Sequence, residues 1–283
     1  GNLNLIKLPH GDRGLTLAAL KLLTQREPRL APWLYAFEVS SRDADTLERL
    51  AALADGVVTW GGDGAVSALR RLAPPGCKLM EWGHRLSFAY VAGYEDREAE
   101  WSALARHIVR TGGLLCSSCQ VIFLDTGRLE EGEAFCQAFL PLLNRAARER
   151  NRDGAAQAAL YTHTYRLERL AEGAGDKTWF GEGCSLTLKQ DRELELSPLY
   201  GNVLVKCLPR KELLPVLRRQ KGRLQTAGLL CRPEEREELT ALLARAGVTR
   251  ITRAGEMSRT FPGEAHDGEY SLRRYIRLVD IET

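Results

Sequence analysis

The sequence predicts an α/β protein, and three observations carry that expectation. Strand-like apolar runs alternate with stretches of helical apolar spacing, a pattern that implies a parallel sheet covered on both faces. A glycine cluster, Gly61-Gly62-Asp63-Gly64, stands where one such strand hands over to a helix. With 283 residues the chain is long enough for a large core and two domains.

Taken in order, Asn4 to Lys7 reads as a strand and Leu15 to Leu23 as a helix with Leu15, Leu17, Ala18, Leu22 and Leu23 on one broad face. Leu34 to Val39 is strand-like, and Ala44 to Leu53 is helical, with leucines at 47, 50 and 53. Gly56 to Trp60 is a short strand, followed by the glycine turn and a helix from Ala65 to Leu72. Pro74-Pro75-Gly76 breaks the chain before a strand from Cys77 to Glu81. A second region begins near Leu86. It opens with a strand from Ser87 to Ala92 and a helix from Trp101 to Val109, then a strand from Gln120 to Leu124. Long helices are expected over Gly132–Arg150 and Ala155–Ala171. Short strands follow around Thr178 to Phe180, Ser185 to Lys189 and Asn202 to Cys207. The remainder reads as a helix over Leu213–Arg219, a strand over Gly228–Cys231, a helix over Pro233–Ala246 and a strand over Val248–Thr252.

Composition narrows the function classes. Lys and Arg number 40 against 37 Asp and Glu, a net charge of +3, without the concentrated basic excess of a nucleic-acid binder. The basic cluster Arg218-Arg219-Lys221-Arg223 fits a solvated helix face. No apolar run approaches the roughly 20 residues of a membrane span, and no signal peptide is seen. Seven scattered cysteines, several in strand-like contexts, point to a reducing cytoplasm and no disulfide framework. Five histidines show no metal-ligand spacing. The first residue is Gly and the chain opens directly on a strand, as expected of a processed or excised chain or the ordered remainder of something longer.

Cys116, in Gly112-Gly113-Leu114-Leu115-Cys116-Ser117-Ser118-Cys119, is the leading chemical candidate, because a thiol at the start of an apolar strand can be held out of the core. Glu81, alone on another apolar strand, is a second: a buried carboxylate is costly unless paired or used. Together they suggest covalent thioester chemistry, with pairing of Glu81 to a nearby Lys or Arg as the alternative. Cys116 and Cys119 form a CxxC, but a strand follows where a redox motif needs a helix N-terminus, and no second CxxC completes a zinc site. His107, on the preceding helix, could assist Cys116 or simply pack. The Gly61–Gly64 turn could admit a phosphate at a helix N-terminus or be a tight turn alone; it is not a GxGxxG.

The order of these pieces resembles the aldehyde dehydrogenase superfamily and, more narrowly, the LuxC-type acyl-CoA reductases. The likeness rests on Gly1-Asn2 with Lys7, on Trp60-Gly61-Gly62-Asp63, on Glu81-Trp82-Gly83, on Cys116-Ser117-Ser118 with Gln120 to Phe123, and on His266-Asp267-Gly268 with Tyr275 to Glu282. The resemblance implies an aldehyde-dehydrogenase-like α/β fold in two parts. Residues 1–84 would be the C-terminal part of a Rossmann-type nicotinamide-dinucleotide domain, and 85–283 the catalytic domain. It implies Cys116 as nucleophile and Glu81 as general base. It also implies Lys7, Trp60, Gly61, Gly62 and Tyr200 around the cofactor. Where many relatives carry a ribose-binding carboxylate this chain has His10, which favours NADP(H). Cys119 replaces a frequent proline of the branch, and Pro198 a glutamate used by many dehydrogenases. A large N-terminal section of the family pattern, including a second oxyanion donor, would lie before Gly1. The implied reaction is NADPH-dependent reduction of an acyl-CoA or acyl-protein thioester to an aldehyde, in a cytoplasmic homo-oligomer supplied by an acyl-transfer partner protein. The alternatives are an aldehyde dehydrogenase working oxidatively and a non-catalytic nucleotide-binding or scaffolding remnant.

Overall fold

The structure, a computed structural model, describes residues 2–172 and 175–282; Gly1, the first residue of the Gly-Asn motif, lies outside them. The chain divides into two compact units, Gly1–Gly83 and His84–Thr283.

In the first unit β1 (Asn4–Lys7) leads through α1 (Leu15–Arg26) and a 3₁₀ turn at Pro28–Trp33 to β2 (Leu34–Phe37), which pairs with β1 in parallel. Next comes α2 (Ala44–Ala52), whose N-terminus is capped by the Asp43 carboxylate accepting from the Thr46 N–H at 3.1 Å. β3 (Gly56–Trp60), α3 (Asp63–Leu72) and β4 (Lys78–Trp82) form a second parallel pair, with Trp60 opposite Trp82. The alternation of elements suggests one sheet, whereas the unit has two separate two-stranded ladders. Its core is correspondingly thin. α1 buries no residue and leaves Leu15, Leu22 and Leu23 exposed; the unit's buried apolar residues are Leu8, Ala51, Met80 and Trp82.

The second unit carries β5 (Leu86–Val91), α4 (Arg97–Thr111), β6 (Cys119–Leu124), α5 (Leu129–Arg148), α6 (Arg152–Glu172), β7 (Lys177–Phe180), β8 (Ser185–Lys189), β9 (Asn202–Cys207), α7 (Arg210–Arg218), β10 (Leu224–Leu230), α8 (Arg236–Ala246) and β11 (Arg250–Arg253). The strands form one seven-stranded sheet in the order β11-β10-β5-β6-β9-β8-β7, parallel throughout except for the antiparallel β7–β8 pair at one edge. Alternate side chains of β6 serve opposite faces, as the two-residue strand period requires. Ile122 and Leu124 join Leu104, Ile108, Phe139 and Leu143 of α4 and α5, while Val121 and Phe123 join Leu213, Leu217, Leu239 and Leu243 of α7 and α8. Covering both faces explains why β6 and β9 are buried along their whole length.

Two of the boundaries that differ from the sequence expectation have an identifiable cause. α4 begins at Arg97, a full turn before Trp101, because the Asp96 carboxylate accepts from the Ala99 N–H at 3.1 Å. β10 begins at Leu224, four residues ahead of Gly228, although Gln225 and Thr226 are polar. Both are buried with partners: Gln225 donates to Asp267 at 2.6 Å, and the Thr226 N–H donates to the Ser87 hydroxyl at 3.0 Å.

Candidate active site

Cys116 lies in the connection between α4 and β6. α4 closes on Gly112 in the left-handed conformation (φ 59°), and Gly113 follows at φ 79°. The chain then makes a tight turn over Leu115–Ser118. The Ser118 N–H donates to the Leu115 carbonyl and the Leu115 N–H to the Ser118 hydroxyl, each at 2.9 Å. Cys116 and Ser117 are the central residues, whose amides such a turn leaves out of its own bond. Among the described residues neither amide has a protein acceptor. The Cys116 thiol is exposed, with exposed Leu114 and Leu115 before it.

The turn is held from below. The fully buried Ser87 hydroxyl on β5 donates to the Cys116 carbonyl at 2.6 Å and accepts from the Thr226 N–H of β10, so one side chain ties the turn to two central strands. Ser117 Oγ meets Ser258 Oγ at 2.7 Å. Gln120, the second residue of β6, donates to the Gly113 carbonyl at 2.9 Å. Its Oε1 accepts from the Ser197 N–H and hydroxyl at 3.1 and 2.8 Å. Gln120 thus joins the glycine turn to the segment carrying Tyr200.

Tyr200 is brought to the same place. It and Leu199 are left-handed (φ 50° and 68°). The Tyr200 N–H donates to the Gly112 carbonyl at 2.7 Å, its ring lies 4.3 Å from that of Tyr161, and its carbonyl accepts from Arg150 Nη2 at 2.8 Å. Cys119, by contrast, is buried in β6, and burial pushes its thiol up to about 12. A thiol so reluctant to ionise makes a poor redox partner, and both cysteines are free. His107 is buried in α4 with neither ring nitrogen in a hydrogen bond. Burial, and then the charge of Arg110, push it down to about 4 against a weak opposing influence of the Ser117 backbone, so it is neutral at neutral pH.

The remaining candidates sit in the first unit. Lys7 ends β1 and donates to the Ser41 hydroxyl at 3.0 Å, and His10 is exposed in the following turn. Gly61 and Gly62 are exposed at the start of α3. The Gly61 N–H donates to the Trp82 carbonyl at 3.1 Å, and a Cβ at Gly62 would meet nothing within 4 Å. The start of α3 is therefore sterically open at Gly62, as close approach of a phosphate requires, although Asp63 places a carboxylate in the first turn. Exposed Trp60 stacks on Trp82 at 5.1 Å. Glu81, on β4, is gripped by Arg70 through two bonds of 2.5 and 2.6 Å, which also raise the Arg70 pKa. Glu81 belongs to the first unit and Cys116 to the second.

Sequence reasoning overlooked Ser87, Gln120, Ser197 and Arg150. The available signal was weak: a polar residue inside or beside an apolar strand run, Ser87 and Gln120 above all. At the other ends of the central strands Arg210 links Asp125, Glu235 and Glu238, all within 2.9 Å, so those ends are closed by ion pairs. Among the described residues there is no cluster of metal-ligating side chains and no helix long and apolar enough to cross a membrane.

The family model "Acyl-CoA reductase (LuxC)" matches residues 1–278. A long-chain acyl-protein thioester reductase of Aliivibrio fischeri is 25% identical over 244 residues, covering 85% of this chain and 49% of its own length. Its namesake from Photorhabdus luminescens is 26% identical over 238 residues, covering 81% and 47%. The chain therefore spans about half the length of these relatives. Among solved structures, succinic semialdehyde dehydrogenase from Streptococcus pyogenes, in complex with NADP+, superposes with a TM-score of 0.65 at 13% identity, covering 90% of this chain and 59% of that one. That likeness shows the aldehyde dehydrogenase fold.

Proposed function

The chain belongs to the acyl-CoA reductase (LuxC) family, and from that premise we propose that it reduces an acyl-CoA or acyl-protein thioester to an aldehyde through an acyl-enzyme on Cys116, with NADPH as reductant. The observation that carries this reading is the exposed Cys116 thiol at the centre of a turn whose carbonyl is pinned by Ser87 and whose amides have no protein acceptor.

The Cys116 thiolate attacks the thioester carbonyl, forms a new C–S bond and expels the carrier thiolate, which takes up a proton. The Cys116 and Ser117 amides are the groups on this turn able to donate to the oxyanion. The reduced nicotinamide supplies the hydride that converts the acyl group to the aldehyde. Collapse to aldehyde returns the electron pair to Cys116 sulfur and restores the thiolate that began the cycle. Lys7, His10, Trp60, Gly61 and Gly62 would hold the dinucleotide, and Tyr200 the nicotinamide end. The open backbone at Gly62 is the observation that suits a pyrophosphate. His10 in place of a carboxylate favours the 2′-phosphate of NADPH. A Glu81 committed to Arg70 suits reduction, which activates no water, better than aldehyde oxidation. We assign residues 1–84 to cofactor binding and 85–283 to catalysis, within a homo-oligomer that receives its acyl group from a partner protein.

The test is intact mass after exposure to acyl-CoA without reductant. The wild type gains one acyl group on Cys116, and Cys116→Ala gains none and forms no aldehyde. A Cys116→Ala protein reducing acyl-CoA at the wild-type rate overturns the proposal.

A further inference from the structure

A cavity of about 1000 Å³ runs along the outer face of α4 in the second unit, from Glu95 at its start to Gly112, Leu114 and Tyr200 at the glycine turn before Cys116. It is lined by five arginines and five carboxylates, and few of them meet as ion pairs. Four lining arginines, Arg106, Arg110, Arg150 and Arg253, meet no carboxylate at ion-pair distance among the described residues. Two of the five lining acids are in ion pairs, Glu95 with Arg236 at 3.6 Å and Glu256 with Arg259 at 3.0 Å. Asp96 caps α4, and Glu100 accepts from the Glu95 and Asp96 amides. Glu149 alone carries no such engagement.

Arg150 is the most telling of the four. It is half-buried, and its two bonds, both 2.8 Å, go to the neutral carbonyls of Gly183 and Tyr200. Burial lowers its pKa with no carboxylate to offset it. A partly buried cation without a counter-charge is costly, and an anionic ligand removes that cost. A second, independent observation comes from His107. It lines the same cavity and is 1% exposed, and among the described residues neither ring nitrogen has a partner at full hydrogen-bond geometry, the Ser117 backbone being only a weak neighbour. Buried polar atoms are rarely left so.

We propose that this cavity holds the anionic, phosphopantetheine-bearing part of the thioester carrier, its phosphate among Arg106, Arg110 and Arg150 and its arm leading past Tyr200 toward Cys116. The proposal rests on the thioester-reductase reading. It adds which face of the catalytic unit meets the carrier, and that recognition is by phosphate. The carrier phosphate could come from coenzyme A or from a phosphopantetheinylated protein; both present the same group.

The test compares acyl-CoA with the acyl-pantetheine of the same chain, which lacks the phosphate, in the wild type and in an Arg106→Gln/Arg110→Gln protein. Both arginines are exposed, so the folded state should tolerate the change. The expected result is that the preference for acyl-CoA over acyl-pantetheine, as kcat/KM, falls about tenfold or more, the worth of one charge-assisted bond. The same fall with an acylated phosphopantetheinyl carrier protein identifies that protein as a source; a fall confined to acyl-CoA identifies the coenzyme. An unchanged preference in the double variant overturns the proposal while leaving the reductase reading intact. Should neither thioester be reduced by the wild type, the reductase reading fails and calorimetry with desulfo-CoA decides the site: binding lost in the double variant supports it, and equal binding, or none to the wild type, overturns it.

Discussion

Replacing Ser87 by Ala tests whether the Cys116 turn is held by the β5 hydroxyl. The side chain is fully buried, so the change opens almost no space and exposes no new surface. It removes two hydrogen bonds, 2.6 Å to the Cys116 carbonyl and 3.0 Å from the Thr226 N–H. Each is worth about 1 kcal/mol net, and an orphaned buried N–H costs about 1–3 kcal/mol. Because the turn can reach water while Thr226 is 1% exposed, the Thr226 amide bears most of the loss. A total of about 2–3 kcal/mol follows, which at ordinary denaturant slopes moves the urea midpoint by roughly 1 M. The turn also loses its anchor. If fixing it contributes about 1.4 kcal/mol to the transition state, acyl transfer to Cys116 slows about tenfold. Urea unfolding followed by tryptophan fluorescence gives the first quantity, and time-resolved intact mass with acyl-CoA the second. A Ser87→Ala protein with an unmoved midpoint and wild-type acylation would refute the argument that this hydroxyl positions the proposed nucleophile.

Four further outcomes are expected. Gly113→Ala should destabilise by about 1–2 kcal/mol from its left-handed backbone alone, with more from a Cβ placed 2.9 Å from Leu199; thermal unfolding checks this. His107, pushed down to about 4 by burial and Arg110, binds its proton less readily folded than unfolded, so its contribution is present at pH 7 and lost as pH falls through the ordinary histidine value toward 4. Going from pH 7 to 5 should cost about 2 kcal/mol, and His107→Leu should flatten that part of the urea-midpoint profile; an equally steep profile in the variant contradicts it. Limited iodoacetamide at pH 8 should alkylate exposed Cys116 and spare Cys119, whose thiol is pushed up to about 12, as peptide mapping will show. His10→Asp should shift the ratio of NADPH to NADH use about tenfold toward NADH, measured by kcat/KM for each; an unchanged ratio removes His10 from the cofactor site.

Much of the second unit was legible because its strands are apolar runs and its helices carry apolar stripes. β8 and β9 sit at the expected bounds, and β6 starts one residue early at Cys119. What escaped depends on partners distant in sequence. The first half of β10 is polar, and Gln225 and Thr226 become acceptable in a sheet interior only once Asp267 and Ser87 arrive to bond them. Cys116 stood out by its glycine-rich approach to a strand, but the clamp of Ser87, Gln120 and Ser197 has no local signature. Glu81 shows the same limit in reverse. Alone on an apolar strand it reads equally as a base or an ion-pair partner, and Arg70, one helix earlier, occupies it.

The clamp also has a bearing on how this protein is made. Ser87 emerges from the ribosome 139 positions before its partner Thr226, an interval on the order of 10 s at ordinary synthesis rates. For most of that time Cys116 is already present, yet β10, the strand that fixes Ser87, does not exist. The thiol is chemically available before its turn is held, and any nascent or truncated chain ending ahead of Thr226 displays the proposed nucleophile without its anchor. Covalent labelling of Cys116 therefore reports that the cysteine has been synthesised; the proposed turnover would report that the last central strand has taken its place.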